Sequence, residues 1–174
     1  MRIINKAIVK NVTTIIPTIG NAIFVPTNTT SRFFPIISNA LPKALVKQNC
    51  DVKVIIPRYK CIPWEYQEKM VYKGAFQMDL CSDGRSYYVG IMEYECDGVV
   101  YDFIDNEEFF SAGNPYISLV DDIPKYCFFS KAALAALNYL NWVPDIIHCH
   151  DWQAALVPVF LRTMFEDTKL CTAK

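Results

Sequence analysis

Both histidines of the chain stand in one short stretch, Asp145-Ile146-Ile147-His148-Cys149-His150-Asp151-Trp152. An imidazole titrates near neutral pH and can donate or accept a hydrogen bond, so this pair could serve acid–base chemistry, ligand positioning or metal binding. The residues Asp145 to Cys149 read as a buried parallel strand, and Gln153 to Arg162 as a helix packed back on the sheet. Their junction is then a strand's carboxyl edge, outside which open α/β sheets bind ligands, and His150 is expected to face a cleft. Asp151 is expected to cap the following helix by accepting from its first free backbone donors. His148, deeper in the strand, is expected to be a hydrogen-bonded core histidine. Period-two alternation turns Cys149 to the opposite face, which argues against a nucleophile.

Histidines two apart on a strand share a face, and with Asp151 they offer the beginning of a metal site. The chain has no third histidine, and Asp151 is better used as a cap, so no metal is expected. A second acidic candidate is the pair Asp121-Asp122 ahead of a helical run. Carboxylates there commonly cap a helix and answer its dipole.

The elements that must hold these groups follow an α/β pattern. Asn21 to Val25 and Val52 to Ile56 read as short buried strands on either side of a helix, forming a βαβ unit. In that helix Ile37, Leu41, Ala44 and Leu45 form the inward stripe and Lys43, Lys47 and Gln48 face outward. Pro42 fits only if the helix starts near Ser38 or Asn39, because an interior proline removes a ladder bond at a cost of about 3 kcal/mol. Tyr87 to Glu95 and Val99 to Ile104 read as a hairpin turned by Cys96-Asp97-Gly98. Glu107 to Val120 has no period and reads as a long loop bordering the cleft. After Asp121 and Asp122, the residues Tyr126, Phe129, Ala133, Ala136, Leu137 and Leu140 run at helical spacing. Pro158 is expected to bend the last helix near Ala154. Residues 1–35 permit a further strand at Ile3 to Val9 or at Thr13 to Ile16, with nothing to choose between them.

At 174 residues and 52% hydrophobic, the chain can bury one core, and a single domain over residues 1–174 is expected. A formal charge of −1 gives no reason to expect nucleic acid or a membrane surface as partner. No apolar run approaches the roughly 20 residues of a membrane span. The seven cysteines, at 50, 61, 81, 96, 127, 149 and 171, lack Cys-x-x-Cys spacing and read as reduced, mostly buried thiols. A cytoplasmic location is expected. The basic segment before Asp51, which contains no acidic residue, leaves a plastid transit peptide as the alternative.

Five segments together, Ala40 to Leu45, Asp51 to Tyr59, Phe103 to Glu107, Phe128 to Leu134 and Asp145 to Leu161, resemble bacterial glycogen synthase and plant starch synthase in order and spacing. The likeness extends over roughly residues 36–168. It implies a Rossmann-like, doubly wound, mainly parallel α/β sheet with a β-hairpin excursion, as the amino-terminal half of a GT-B glycosyltransferase. Such enzymes move glucose from ADP-glucose to an α-1,4-glucan acceptor with retention and without a metal or other cofactor. The resemblance places His150 beside the transferring glucose as a catalytic group, and Asp121 as the functional aspartate at the long helix. It puts Asp122, Lys125 and Asp151 near the substrate. Asp122 stands where asparagine is usual, and Lys125 where arginine is usual, which loses a planar fork of donors. Trp152 reads as a packing residue.

The donor loop departs from the family. Where relatives carry Lys-Thr-Gly-Gly-Leu-Gly-Asp-Val, this chain has Thr30-Ser31-Arg32-Phe33-Phe34-Pro35-Ile36-Ile37. Glycines let backbone donors approach a phosphate, and two phenylalanines and a proline do not. Arg32 is the remaining positive charge at that degenerate position, and residues 1–35 as a whole diverge. The family's second, nucleotide-binding domain is not in this sequence, so the isolated chain is expected to be inactive. A non-catalytic glucan-binding or interaction domain is the alternative, with a His/Asp metal hydrolase behind it. Apolar surface at the boundary with the second domain would be a site of self-association.

Overall fold

The computed structural model describes residues 9–15, 36–80, 84–111 and 116–174. The strands are β1 (Asn11–Ile15), β2 (Asp51–Pro57), β3 (Val71–Asp79), β4 (Ser86–Cys96), β5 (Val99–Asp105) and β6 (Ile146–Cys149). The helices are α1 (Ile36–Val46), α2 (Trp64–Gln67), α3 (Glu107–Phe110), α4 (Leu119–Tyr139) and α5 (Leu156–Thr163). The six strands form one sheet in the order β3-β4-β5-β2-β1-β6. β5, β2, β1 and β6 are mutually parallel, and β3 and β4 add an antiparallel edge. The chain runs from β1 towards β3 and later from β5 back to β6. Right-handed crossovers in opposite directions put α1 and α4 on opposite faces, which is the doubly wound arrangement.

The expected hairpin is β4–β5. Asp97 and Gly98 close it with φ of 53° and 75°, the two positive values that a type I′ turn demands. β3, which went unread in the sequence, pairs antiparallel with β4. Its exposed Val71 and Tyr72 blur the alternation that would have revealed it. The strand beside β2 is Asn11–Ile15, which overlaps the alternative at Thr13 to Ile16; nearly all of the alternative at Ile3 to Val9 lies outside the described residues. The expected strand at Asn21 to Val25 lies outside the described residues.

α1 begins before Ser38, so Pro42 lies past its first turn and the Ser38 carbonyl loses its intrahelical donor. The inward face differs from the expected stripe. Pro42 is buried and Ala44 is exposed, while Leu45 and Val46 pack against the core. The Glu107 to Val120 stretch is shorter as a loop than expected. Asn106 caps α3 by accepting from the Phe109 amide at 3.1 Å, and α4 already starts at Leu119. Pro158 is the third residue of α5, where the missing N–H would be unpaired in any case. The change from a 3₁₀ turn (Trp152–Ala154) to α-helix falls at Ala155, close to the expected bend.

Part of the core is aromatic. Phe128 stacks on Phe109 at 4.6 Å and meets Phe110 at 5.9 Å, so α4 packs on the short α3 that follows β5. Fully burying each such ring contributes about 1.5–3 kcal/mol. Polar groups cross the same face. The Lys53 ammonium lies 3.0 Å from Asp102 and 3.3 Å from Glu93, and Glu93 reaches Lys73 at 3.1 Å. Trp142 lies beneath Lys53 and donates from Nε1 to the Thr13 hydroxyl at 3.1 Å. Burial raises the Asp102 carboxyl above its usual range against the pull of Lys53. Burial also opposes ionisation of Glu93, but Lys73 and Lys53 outweigh it and hold that carboxyl low. The six described cysteines are free and half-buried rather than buried. Among the described residues, no helix is long and apolar enough to cross a membrane.

Candidate active site at the carboxyl rim of the sheet

β1 has β2 on one side and β6 on the other, and the chain reaches them by excursions in opposite directions. The gap between the carboxyl ends of β1 and β6 is therefore the topological switch point, where α/β sheets open a crevice. His150 lies at that point. Its amide donates to the Ile15 carbonyl at 3.1 Å, adding one rung between β6 and β1 beyond the last strand residue.

Immediately after it, Asp151 adopts φ 64° and ψ 177°, a region occupied almost only by glycine that costs about 1–3 kcal/mol for other residues. Strain of this kind concentrates at functional corners because it aims a neighbouring side chain. The Asp151 carboxylate accepts from the Trp152 amide at 2.7 Å. It thus caps the 3₁₀ turn, whereas α5 (Leu156–Thr163) has Ala155 at its N-cap and no side-chain cap. The expected capping of the α-helix is corrected in that respect, because the sharp turn at Asp151 uses its carboxylate locally.

The rings of His148 and His150 stack with centroids 4.5 Å apart. His148 is exposed, which overturns its reading as a core histidine. β6 is half-exposed rather than buried, because it ends the described sheet. On the side away from β1, Lys174 lies alongside it, donating to Asp145 O and accepting from Ile147 N. His150 is half-buried, and its Nε2 is enclosed without a hydrogen-bond partner among the described residues. Burial and the neighbouring His148 lower its pKa, with Asp151 opposing, so the ring is neutral at pH 7. A neutral imidazole with an unsatisfied nitrogen is the state that exchanges hydrogen bonds with a ligand hydroxyl. Cys149 is driven the other way: burial pushes its thiol up to about 11, which removes the thiolate that a nucleophile requires.

The second wall comes from α4. Ser118 caps the helix by accepting from the Asp121 amide, and its hydroxyl donates to the Asp121 carboxylate at 2.6 Å. Asp121 is exposed. Asp122 and Lys125 are buried and paired at 2.6 Å, and Asp122 also accepts from the Ile117 amide at 3.3 Å. These two residues, expected near the substrate as separate contacts, meet each other and fasten the segment leading into α4. Arg32 and the altered loop before Ile36 lie outside the described residues.

The walls meet through aromatic residues. Tyr126 of α4 sits edge-on to Trp152 at 5.4 Å and beside Tyr116 at 6.4 Å. Gln153 donates to the Tyr116 hydroxyl at 2.6 Å, and the Tyr59 hydroxyl donates to that of Tyr126 at 3.5 Å. Burial raises the Tyr59 and Tyr126 phenols, so both stay protonated. Trp152 packs as expected along one edge, yet it is 46% exposed. Tyr116, Tyr126 and Gln153 were missed as site residues. Tyr126 fits a core stripe by spacing, and Tyr116 stands in an aperiodic stretch, so neither carried a local signal.

The switch point thus carries a histidine, and α4 with the 3₁₀ turn carries an exposed aspartate and buried phenols, groups able to hydrogen-bond a hydroxyl-rich ligand. Comparison with known proteins identifies the family. The family model of the starch synthase catalytic domain matches residues 36–174. A glycogen synthase of Lachnospira eligens is 53% identical over 129 residues, covering 74% of this chain and 27% of that protein. A glycogen synthase of Lachnoclostridium phytofermentans is 48% identical over 130 residues, covering 75% of the chain and 27% of that protein. The chain thus spans about a quarter of the length of these curated relatives. The catalytic domain of starch synthase IV from Arabidopsis thaliana, solved bound to ADP and acarbose, superposes with a TM-score of 0.70 at 26% identity, covering 95% of this chain and 32% of that one. The chain belongs to the starch synthase catalytic domain family, and its similarity to these relatives lies within their amino-terminal part.

Proposed function

We propose that the full-length protein carrying this chain transfers glucose from ADP-glucose to the non-reducing end of an α-1,4-glucan with retention, without a metal, in the cytoplasm. The observation that carries this reading is the His150 corner: a neutral, partly enclosed imidazole at the switch point, followed by the strained Asp151. His150 hydrogen-bonds hydroxyls of the transferring sugar as positive charge develops at its anomeric carbon, a task for a preorganised dipole. Asp121, exposed in the first turn of α4, orients sugar hydroxyls or balances that charge. The Asp122–Lys125 pair and Asp151 keep the two walls in place. A second nucleotide-binding domain supplies most contacts to ADP, so residues 1–174 alone transfer no glucose.

The test is incorporation of labelled glucose from ADP-glucose into glycogen. The full-length protein is expected to be active, the isolated chain inactive, and His150→Ala in the full-length protein lower in kcat by about 10²–10³, the usual cost of removing one preorganised donor. Incorporation by the isolated chain, or an unaffected His150→Ala variant, would overturn the assignment. Binding of maltooligosaccharide by the full-length protein without turnover would replace it with a glucan-binding module.

A further inference from the structure

Gln153 is the second residue of the 3₁₀ turn that follows the His150 corner, and this polar residue is only 2% exposed. Its backbone and its side chain hold different parts of the molecule. The backbone carbonyl accepts from the Ser130 hydroxyl of α4 at 3.3 Å, while the side-chain amide leaves the turn and donates to the Tyr116 hydroxyl at 2.6 Å. The amide oxygen, Oε1, is enclosed without a hydrogen-bond partner among the described residues.

An enclosed, unsatisfied carbonyl costs folding free energy, and an unbranched apolar side chain of the same length would fill the space without that cost. Stability therefore does not account for an amide at this position. Conflicts of this kind between packing and polarity collect where a fold gives up stability for function.

The amide joins two segments that lie 37 residues apart in the chain. On one side, only the strained Asp151 and Trp152 separate Gln153 from His150. On the other, Tyr116 stands two residues before Ser118, whose hydroxyl donates to the Asp121 carboxylate at 2.6 Å. The segment between them is held again where the Ile117 amide donates to Asp122, itself paired with Lys125. Trp152 and Tyr126 also bring the turn and α4 together, at 5.4 Å, but an apolar ring contact tolerates sliding. A hydrogen bond fixes both distance and direction.

We propose that Gln153 is a positioning residue for glucose transfer: acting through the Tyr116 phenol, it fixes the separation between His150 and Asp121. The role rests on the proposed function of those two groups. Transfer needs both of them on the same sugar, and a misplacement of about 1 Å costs on the order of 10²-fold in rate. The charge they answer develops only in the transition state, so loss of the tie falls on kcat rather than on KM.

The experiment is steady-state transfer of glucose from ADP-glucose to glycogen by the full-length protein, with Gln153→Met, Tyr116→Phe and the double variant, and thermal melting alongside. Gln153→Met keeps the length of the side chain and removes the amide, whereas Tyr116→Phe keeps the ring and removes the hydroxyl. Each is expected to lower kcat about tenfold with KM for glycogen changed by less than about twofold, and Gln153→Met is expected to melt no lower than the parent. The double variant is expected to lose no more than either single one, because both break the same bond. Additive losses would show that Gln153 does not act through Tyr116 and would overturn the proposal. Unchanged kcat, or kcat lost only in step with melting temperature, would overturn it as well. If Gln153→Met does not fold, Tyr116→Phe decides through the same split between kcat and KM. A parent that transfers no glucose removes the transferase reading and this role with it, whereas an active parent with unaffected variants removes the role alone.

Discussion

His148 and His150 stack face to face at 4.5 Å, and the two rings sit in different surroundings. One is exposed, and the other has its Nε2 enclosed beside the strained Asp151. Burial, and then the neighbouring His148, make a charge on the His150 ring unfavourable.

That arrangement predicts a pH response. Burial and His148 lower the pKa of His150, so the unfolded chain, with a pKa near the ordinary ~6.5, binds this proton more readily than the folded one. Stability contributed by the neutral ring is present above that pH and is lost as pH falls through it. Melting curves between pH 7.5 and 5 are expected to show a steeper acid loss for the parent than for His150→Gln. Parallel curves would contradict the neutral, enclosed ring.

Asp151 predicts an exchange of stability against function. Asp151→Gly removes about 1–3 kcal/mol of backbone strain while losing a cap hydrogen bond of about 1 kcal/mol. The variant is expected to melt no lower than the parent, yet to position His150 less well and lose at least tenfold in kcat of the full-length protein. A variant that is both much less stable and fully active would refute the strained corner as a positioning device.

Lys53 predicts a large folding effect without a ligand. Lys53→Met leaves Asp102, which is fully buried, without its partner, and breaking a buried pair costs about 3–5 kcal/mol. An Asp102 pKa raised further above the unfolded value means that the penalty is absent at acid pH and grows as pH rises through the folded pKa. Denaturant unfolding should therefore show a smaller defect at pH 4.5 than at pH 7.5. An equal defect at both would show that Asp102 does not carry it.

The start of α4 offers a local test. Ser118→Ala removes the cap that accepts from the Asp121 amide and is expected to cost about 0.5–2 kcal/mol. Because Asp121 also loses the Ser118 hydroxyl that orients its carboxylate, transfer by the full-length protein should fall as well. Lost stability with unchanged turnover would confine Asp121 to capping.

The hairpin, α4 and the strand carrying His150 were legible in the chain because each has a short-range signature: a paired Asp97-Gly98 turn, an apolar run at helical spacing, and an apolar run ending in polar residues. β3 and the face of α1 were not legible. Exposed Val71 and Tyr72 break the alternation of β3, and in α1 Pro42 is buried while Ala44, expected on the inward stripe, is exposed.

Residue types and order therefore determine the α/β class, the family and the presence of a histidine at a strand's carboxyl end. Tertiary structure decides the rest. His148 is exposed because β6 ends the described sheet, Asp122 and Lys125 are spent on each other because the segment entering α4 folds over them, and Tyr126 becomes a wall because Trp152 arrives from a distant turn. Local sequence encodes dihedral preference and periodicity, which act over a few residues. Burial, partner choice and pKa depend on which distant elements arrive alongside, and only the folded sheet brings those together.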